Sequence, residues 1–277
     1  MEYEDESGIS GELLQKSSNI SQEMSGFMDP RTIKWMLISS SIPITCIILV
    51  YLYVIYVAGP RFMKNRQPYS LKMFMQCYNI FQVITNFLLV FNMVTNGRPF
   101  TVVWRYCDSF DKICGDNSEK MLGMVWWALI LKLIDFIETV VFVLRKKYRQ
   151  VSVFHVYHHI STAVYVWIIL RYLPHGHIMY MLTLNCSVHV IMYSYYFLST
   201  YGSRIQQKIS SFKKWLTIIQ MTHIVSILLT GLPPSLTTID CDTKGKYLGF
   251  VTFVLCSTNL WFFWDFFKKS YKKSKTA

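Results

Sequence analysis

Seven apolar stretches constrain this chain more than any other feature, at about 33–58, 70–94, 121–143, 153–173, 177–200, 214–232 and 247–267. Each is close to the roughly 20 residues that cross a bilayer as a helix. In lipid every backbone amide must be satisfied internally, so a run of that length has few folds other than a helix. Gly59-Pro60, Asn96-Gly97-Arg98-Pro99, Pro174-His175-Gly176 and Gly231-Leu232-Pro233-Pro234 punctuate the runs. No soluble domain fits between them. The prediction is an all-α membrane protein with seven transmembrane helices over residues 33–267, between an acidic tail at 1–32 and a basic tail at 268–277.

The charge of +12 does not indicate a nucleic-acid partner, because no basic run is interleaved with a nucleic-acid-binding motif. It is distributed by side instead. Arg61, Lys64 and Arg66, then Arg145, Lys146, Lys147 and Arg149, then Arg204, Lys208, Lys213 and Lys214, and finally the lysines from Lys268 to Lys275 occupy one set of loops without acidic partners. That set is predicted to be cytosolic. The tail with Glu2, Glu4, Asp5 and Glu6, and the mixed-sign loop from Arg105 to Lys120, then face the opposite side. The start lacks the basic and apolar regions of a cleavable signal peptide.

Two further features agree with that orientation. The glycosylation sequon at Asn19 and the loop cysteines Cys107, Cys114 and Cys241 would all lie in an oxidising lumen. A disulfide is predicted between Cys107 or Cys114 and Cys241. None of the seven cysteines forms a C-x-x-C pair, so no metal is expected from them. The ending Lys273-Ser274-Lys275-Thr276-Ala277 reads equally as a dilysine retrieval signal of the endoplasmic reticulum or as a basic cluster on anionic lipid.

Four of the runs carry polar groups that a lipid-facing surface would not tolerate. They are Lys132, Asp135, Glu138 and Thr139; His155, His158 and His159; Asn185, His189, Tyr193 and Tyr196; and Thr217, Gln220 and His223. His155, His158 and His159 stand at i, i+3 and i+4, which predicts one face of one helix. Lys132 and Asp135 are close enough on a helix to neutralise each other. With a rise of about 1.5 Å per residue, Glu138, His158, His159 and Gln220 lie roughly 7 to 10 Å inside the cytosolic boundary, with Lys132 and His189 deeper. A cavity there would admit an anionic head group from the cytosol and hold a hydrocarbon chain beyond it. Single residues such as Asn185, Thr217 or Gln220 could instead be packing contacts between helices, and Lys132 with Asp135 a structural ion pair. Four histidines at that density are harder to read as packing.

His155-Val156-Tyr157-His158-His159 resembles the histidine box of the ELO family, the elongases of very-long-chain fatty acids. Gly59-Pro60 with Met63, Arg66 and Pro68, Lys132 to Thr139 running into Leu144-Arg145-Lys146-Lys147, Asn185 with His189, Met192-Tyr193 and Tyr195-Tyr196, and Thr217 with Gln220 match its other motifs in order. Two departures stand out. Asp135 and Glu138 take the places where the family usually has Glu and then Asp, and His223 replaces a second Gln.

The resemblance implies six of the helices enclosing a narrow tunnel, in the endoplasmic reticulum membrane, with the N-terminus lumenal and the C-terminus cytosolic. It implies condensation of a long-chain acyl-CoA with malonyl-CoA to a 3-ketoacyl-CoA, releasing carbon dioxide and CoA, with no cofactor. Partners would be the bilayer, the two CoA esters, and the ketoacyl-CoA reductase, dehydratase and enoyl-CoA reductase of the cycle; a homodimer is compatible with it. No cysteine lies near the box, whereas neutral imidazole attacks thioesters. His158 is therefore expected to take the acyl group, with His189 facing it and His155 and His159 orienting it or stabilising an enolate. Asn185 and Gln220 would donate hydrogen bonds, Lys132, Asp135 and Glu138 with Tyr193 would support them, and Arg145, Lys146, Lys147, Lys213 and Lys214 would attract CoA. A di-iron desaturase shares the H-x-x-H-H pattern but needs about eight histidines in three clusters. A seven-span receptor or transporter would not need the histidines, and paired half-repeats with broken midplane helices are not evident.

Overall fold

The computed structural model describes residues 28–172, 174–235, 241 and 243–271. The sequon at Asn19, the acidic residues before 28 and the lysines after 271 lie outside the described residues. Among those described the fold is helical throughout: α1 (Ile42–Met63), α2 (Lys72–Gly97), α3 (Phe110–Cys114), α4 (Ser118–Ile134), α5 (Phe136–Leu144), α6 (Val153–Tyr172), α7 (His177–Ser199), α8 (Ser203–Ile209), α9 (Phe212–Ser235) and α10 (Thr243–Tyr271). Five of them, α1, α2, α6, α9 and α10, are long and apolar enough to cross a membrane. This is a multi-pass membrane protein. Its outer surface fits that setting, since Leu49, Val50, Ile84, Phe87, Phe91, Phe250 and Trp261 are all more than half exposed and form an apolar surface that water would not tolerate.

Two predicted stretches differ in their details. The first run extends from about residue 33, yet 33–41 are turns and the helix begins at Ile42. Ser39-Ser40-Ser41 and then Pro43 account for this, because proline fits the first turn of a helix but not its interior. The third run divides at Asp135 into α4 and α5, with Glu138 N–H reaching the Asp135 carbonyl at 3.1 Å. Seventeen and nine residues are each short for a crossing. The tail boundary shifts too, because Asp29 and Thr32 are already anchored to the carbonyls of Arg171 and Leu170.

Packing sets the site. The α9 and α10 helices lie along each other, α2 lies along α7, and α4 rests on α6 and α2. A continuous buried cluster runs between these helices, including Leu89, Leu129, Tyr165, Met179, Ile224 and Cys256. A smaller cluster joins α1 to α5 and α6, where the Tyr51 and Phe136 rings stack at 4.2 Å. Just before Pro60 the α1 helix widens into a π turn at Val54–Ala58, as a missing proline N–H allows. Gly59 sits in the crossing. A Cβ there would come within 2.7 Å of the Val143 side chain and 2.6 Å of the Val54 carbonyl oxygen, so only glycine lets α1 approach α5 this closely.

At the other end, a disulfide between Cys107 and Cys241 ties the loop after α2 to the start of α10. Cys114, the alternative partner, is buried and free.

Candidate active site

The site forms where α4, α6, α7, α9 and α10 converge. Their inward side chains enclose a cavity of about 60 Å³ lined by Lys132, His158, Thr162, Tyr165, Met181, Asn185, His223, Ile227, Cys256 and Asn259, among others. Its polar side chains come from all five helices, while Tyr165, Met181, Ile227 and Cys256 supply apolar walls. The volume exceeds the 10–15 Å³ that one water needs, so the space holds a small group or a short stretch of hydrocarbon.

The three box histidines do not share one face. At about 100° per residue, i+3 and i+4 fall on opposite sides of position i and about 100° apart. His155 and His159 accordingly meet edge to face, ring centres 4.3 Å apart, and turn towards α5. There His155 Nε2 is 3.0 Å from Thr139 Oγ1, which is itself 2.8 Å from the Tyr51 hydroxyl, and His159 Nε2 is 3.8 Å from a Glu138 carboxylate oxygen. His158 turns instead to the cavity and α10, where its Nδ1 meets Asn259 Oδ1 at 2.9 Å. The Phe154 and Phe263 rings, at 6.2 and 6.1 Å, flank its imidazole.

Lys132 lines the cavity from α4 and pairs with Asp135, which does not reach it; both are buried, with Nζ and Oδ2 3.5 Å apart. Asp135 is heavily bonded for a carboxylate in an apolar setting. Gln82 donates to its Oδ1 at 2.7 Å and the Tyr193 hydroxyl at 3.0 Å, while Asn86 donates to Gln82 Oε1 at 3.0 Å. Full hydrogen bonding of this kind is what makes a buried charge tolerable. His189 completes the group. Its Nε2 accepts from the Lys132 ammonium at 3.4 Å and its Nδ1 is 4.0 Å from Asp135.

Comparison with known proteins identifies the family these motifs resemble. The model described as "ELO: GNS1/SUR4 family" matches residues 36–277. The chain belongs to the ELO family. Very long chain fatty acid elongase 1 of Mus musculus is 36% identical over 211 residues, covering 76% of this chain and 75% of the mouse protein. Very long chain fatty acid elongase 5 of Xenopus laevis is 31% identical over 274 residues, covering 96% and 88%. Very long chain fatty acid elongase 4 of Mus musculus is 33% identical over 253 residues, covering 90% and 79%.

In this ELO protein the remaining motif residues fall into distinct positions. Asn185 lines the cavity, and its buried Oδ1 has no partner among the described residues. A buried acceptor left open in this way calls for a ligand or water. Gln220 donates to Met192 Sδ at 3.3 Å and does not line the cavity. Neither does His189, which stands behind Lys132. Of the basic residues, Arg145, Lys146 and Lys147 follow α5 in the connection to α6, while the exposed Lys213 and Lys214 open α9. Lys146 reaches across to the Lys64 carbonyl at 3.5 Å.

Glu138, His155 and His159 offer ligating atoms within 4.8 Å of one another, enough for one cation if His155 gave up Thr139. His158 and His189 do not belong to that group: the His158 Nδ1 meets Asn259 and the His189 Nε2 meets Lys132.

Two contributors were not legible as site residues. Asn259 is a lone amide in the last apolar run. Gln82, with Asn79 and Asn86, forms a buried stripe at i, i+3 and i+7 on α2, a spacing that in retrospect signals an inward polar face.

Proposed function

We propose that this protein condenses a long-chain acyl-CoA with malonyl-CoA, giving a 3-ketoacyl-CoA, carbon dioxide and CoA. The observation that carries the reading is His158: a half-buried imidazole lining a cavity with polar groups from five helices and apolar walls. Family membership and the names of the relatives support the same chemistry.

In this reading α4 with α5, and α7, also cross the membrane, making seven spans. The cavity is the narrow part of a tunnel that six of them enclose and that substrate widens. His158 Nε2 attacks the thioester carbonyl; the C–N bond forms, the C–S bond breaks, and CoA leaves as thiolate. Malonyl-CoA then loses carbon dioxide, the electrons of that C–C bond form the enolate, and its carbon displaces His158 from the acyl group. Lys132, held by Asp135 and His189, supplies positive charge to the oxygen of the thioester or enolate. His189 is the group placed to exchange a proton beside it. Asn185 hydrogen-bonds substrate in the cavity, and His155, His159 and Glu138 hold the box against α5.

Arg145, Lys146, Lys147, Lys213 and Lys214 attract the CoA phosphates from the cytosol, with the N-terminus in the lumen of the endoplasmic reticulum. The reductases and dehydratase of the cycle would take the product onward.

The test uses purified protein, radiolabelled malonyl-CoA and a panel of acyl-CoAs without reductant. Labelled 3-ketoacyl-CoA from at least one acyl-CoA is the expected result. No product from any of them, in folded protein, would end the reading.

A further inference from the structure

The last helix takes no part in the motifs that carry the family resemblance, yet it supplies the one hydrogen bond that the His158 ring makes among the described residues. The inward stripe of α10 is Leu248, Thr252, Cys256, Asn259 and Phe263, all buried. Within it Asn259 is 4% exposed, and an amide withdrawn from water that far is unfavourable unless it is bonded. Both ends of the amide are used. Nδ2 donates to the Leu255 carbonyl one turn back at 2.9 Å, which fixes which end of the amide faces His158. The end facing the imidazole is then Oδ1, a pure acceptor, 2.9 Å from Nδ1.

An acceptor at that position requires Nδ1 to carry the ring proton. In neutral imidazole the Nε2 lone pair is then free on the side of the ring that lines the cavity. We propose that Asn259 is the positioning residue that fixes the Nδ1–H tautomer of His158, so that Nε2 is permanently presented as the nucleophile. The proposal rests on the condensation reading above and adds the group that prepares its nucleophile.

The choice of a neutral amide follows from the chemistry. When Nε2 attacks, the ring becomes an N-acyl imidazolium whose Nδ1–H stays bonded to Asn259 Oδ1. When the enolate carbon displaces it, the C–N electrons return to Nε2 and the same tautomer is restored. No proton leaves or reaches Nδ1 at any step, and the proton that neutralises the CoA thiolate comes from water. A carboxylate in place of Asn259 would raise the proton affinity of the ring and hold more of it as imidazolium, which has no lone pair to attack with. The charged and titratable groups around His158 are Lys132 on α4, His155 and His159 on α6, His189 on α7 and His223 on α9. The Tyr165 hydroxyl on α6 lines the same cavity, and the described part of α10 that lines it carries no charged group and one thiol, Cys256.

The experiment compares Asn259→Leu and Asn259→Asp with the unmodified protein and His158→Ala, in the malonyl-CoA assay across pH. Asn259→Leu is expected to lower kcat on the order of 10- to 100-fold, by analogy with the loss when a group orienting a metal-bound histidine is removed, with KM for acyl-CoA within about threefold. Asn259→Asp keeps the acceptor and is expected to recover rate at high pH, with its acid limb displaced to higher pH. In ¹⁵N-histidine spectra of the unmodified protein, His158 is expected to show a protonated Nδ1 and a bare Nε2. This readout does not depend on the folding of any variant. Unchanged kcat and pH profile in Asn259→Leu, with His158→Ala inactive, would overturn the proposal and leave the condensation reading standing. A protonated Nε2 would overturn it as well. Full turnover by His158→Ala would remove the reading and the proposal together.

Discussion

The Lys132–Asp135 pair makes a quantitative prediction about what holds the site together. Both side chains are buried and their charges are 3.5 Å apart. Replacing Lys132 by Met leaves a carboxylate in an apolar interior with two hydrogen bonds and no cation. Replacing Asp135 by Asn keeps an acceptor for Gln82 and Tyr193 but leaves the ammonium against neutral groups. Removing one partner of a buried pair costs about 3–5 kcal/mol, because the other charge is left uncompensated. At roughly 2–4 °C per kcal/mol for a chain of this order of size, each single variant should melt about 10 °C lower. The double variant Lys132→Met/Asp135→Asn removes both charges while preserving the hydrogen bonds to position 135. It should therefore be less destabilised than the two singles added together, by at least about 2 kcal/mol. The assay is thermal unfolding of the four proteins in one detergent, completing a double-mutant cycle. Additive effects, or singles indistinguishable from the parent, would show that the two groups are not an interacting buried pair and refute the argument.

Other consequences follow from the crossing, the loops and the N-terminal anchor. Gly59→Leu should destabilise the protein by about 1–3 kcal/mol in the same unfolding assay, the usual cost of overpacking, because its side chain would collide with Val143 and the Val54 carbonyl. Native alkylation without reductant should leave Cys107, Cys114 and Cys241 unlabelled, two because they form the disulfide and Cys114 because burial pushes its thiol up to about 12; peptide mapping reads the result, and labelling at Cys114 would contradict it. Burial raises the Asp29 carboxyl, but its hydrogen bonds and ion pair with Arg31 outweigh this and hold it below the ordinary 3.8. The anchor it provides should thus be fully present above 3.8 and lost only as pH falls through the lowered value, whereas Asp29→Asn should expose the segment at neutral pH, as read by hydrogen exchange of residues 29–38.

How far the sequence reached depended on the range of the interaction. Lys132 and Asp135 are three residues apart on one chain, and helical geometry alone puts them in contact. Hydropathy placed the five membrane-length helices for the same local reason. The division of the histidine box was not visible, because which way each ring turns depends on what lies opposite. Thr139 and Glu138 draw His155 and His159 to α5, and Asn259, a hundred residues further on, draws His158 to α10. Gln82 and Asn86 were obscured differently, since single amides in an apolar run are equally consistent with contacts between helices, and only burial against Asp135 assigns them. The break at Asp135 carries neither proline nor glycine to announce it.

The measurement that bears most directly on the central claim is to look for the acyl group on His158. Purified protein would be mixed with acyl-CoA alone, quenched, digested and analysed by mass spectrometry, beside His158→Ala. The account predicts one acyl mass on the peptide containing His155, His158 and His159, localised to His158, absent from the variant, and discharged when malonyl-CoA is added before the quench. An acyl group on another residue, or 3-ketoacyl-CoA formed at the normal rate by His158→Ala, would contradict it.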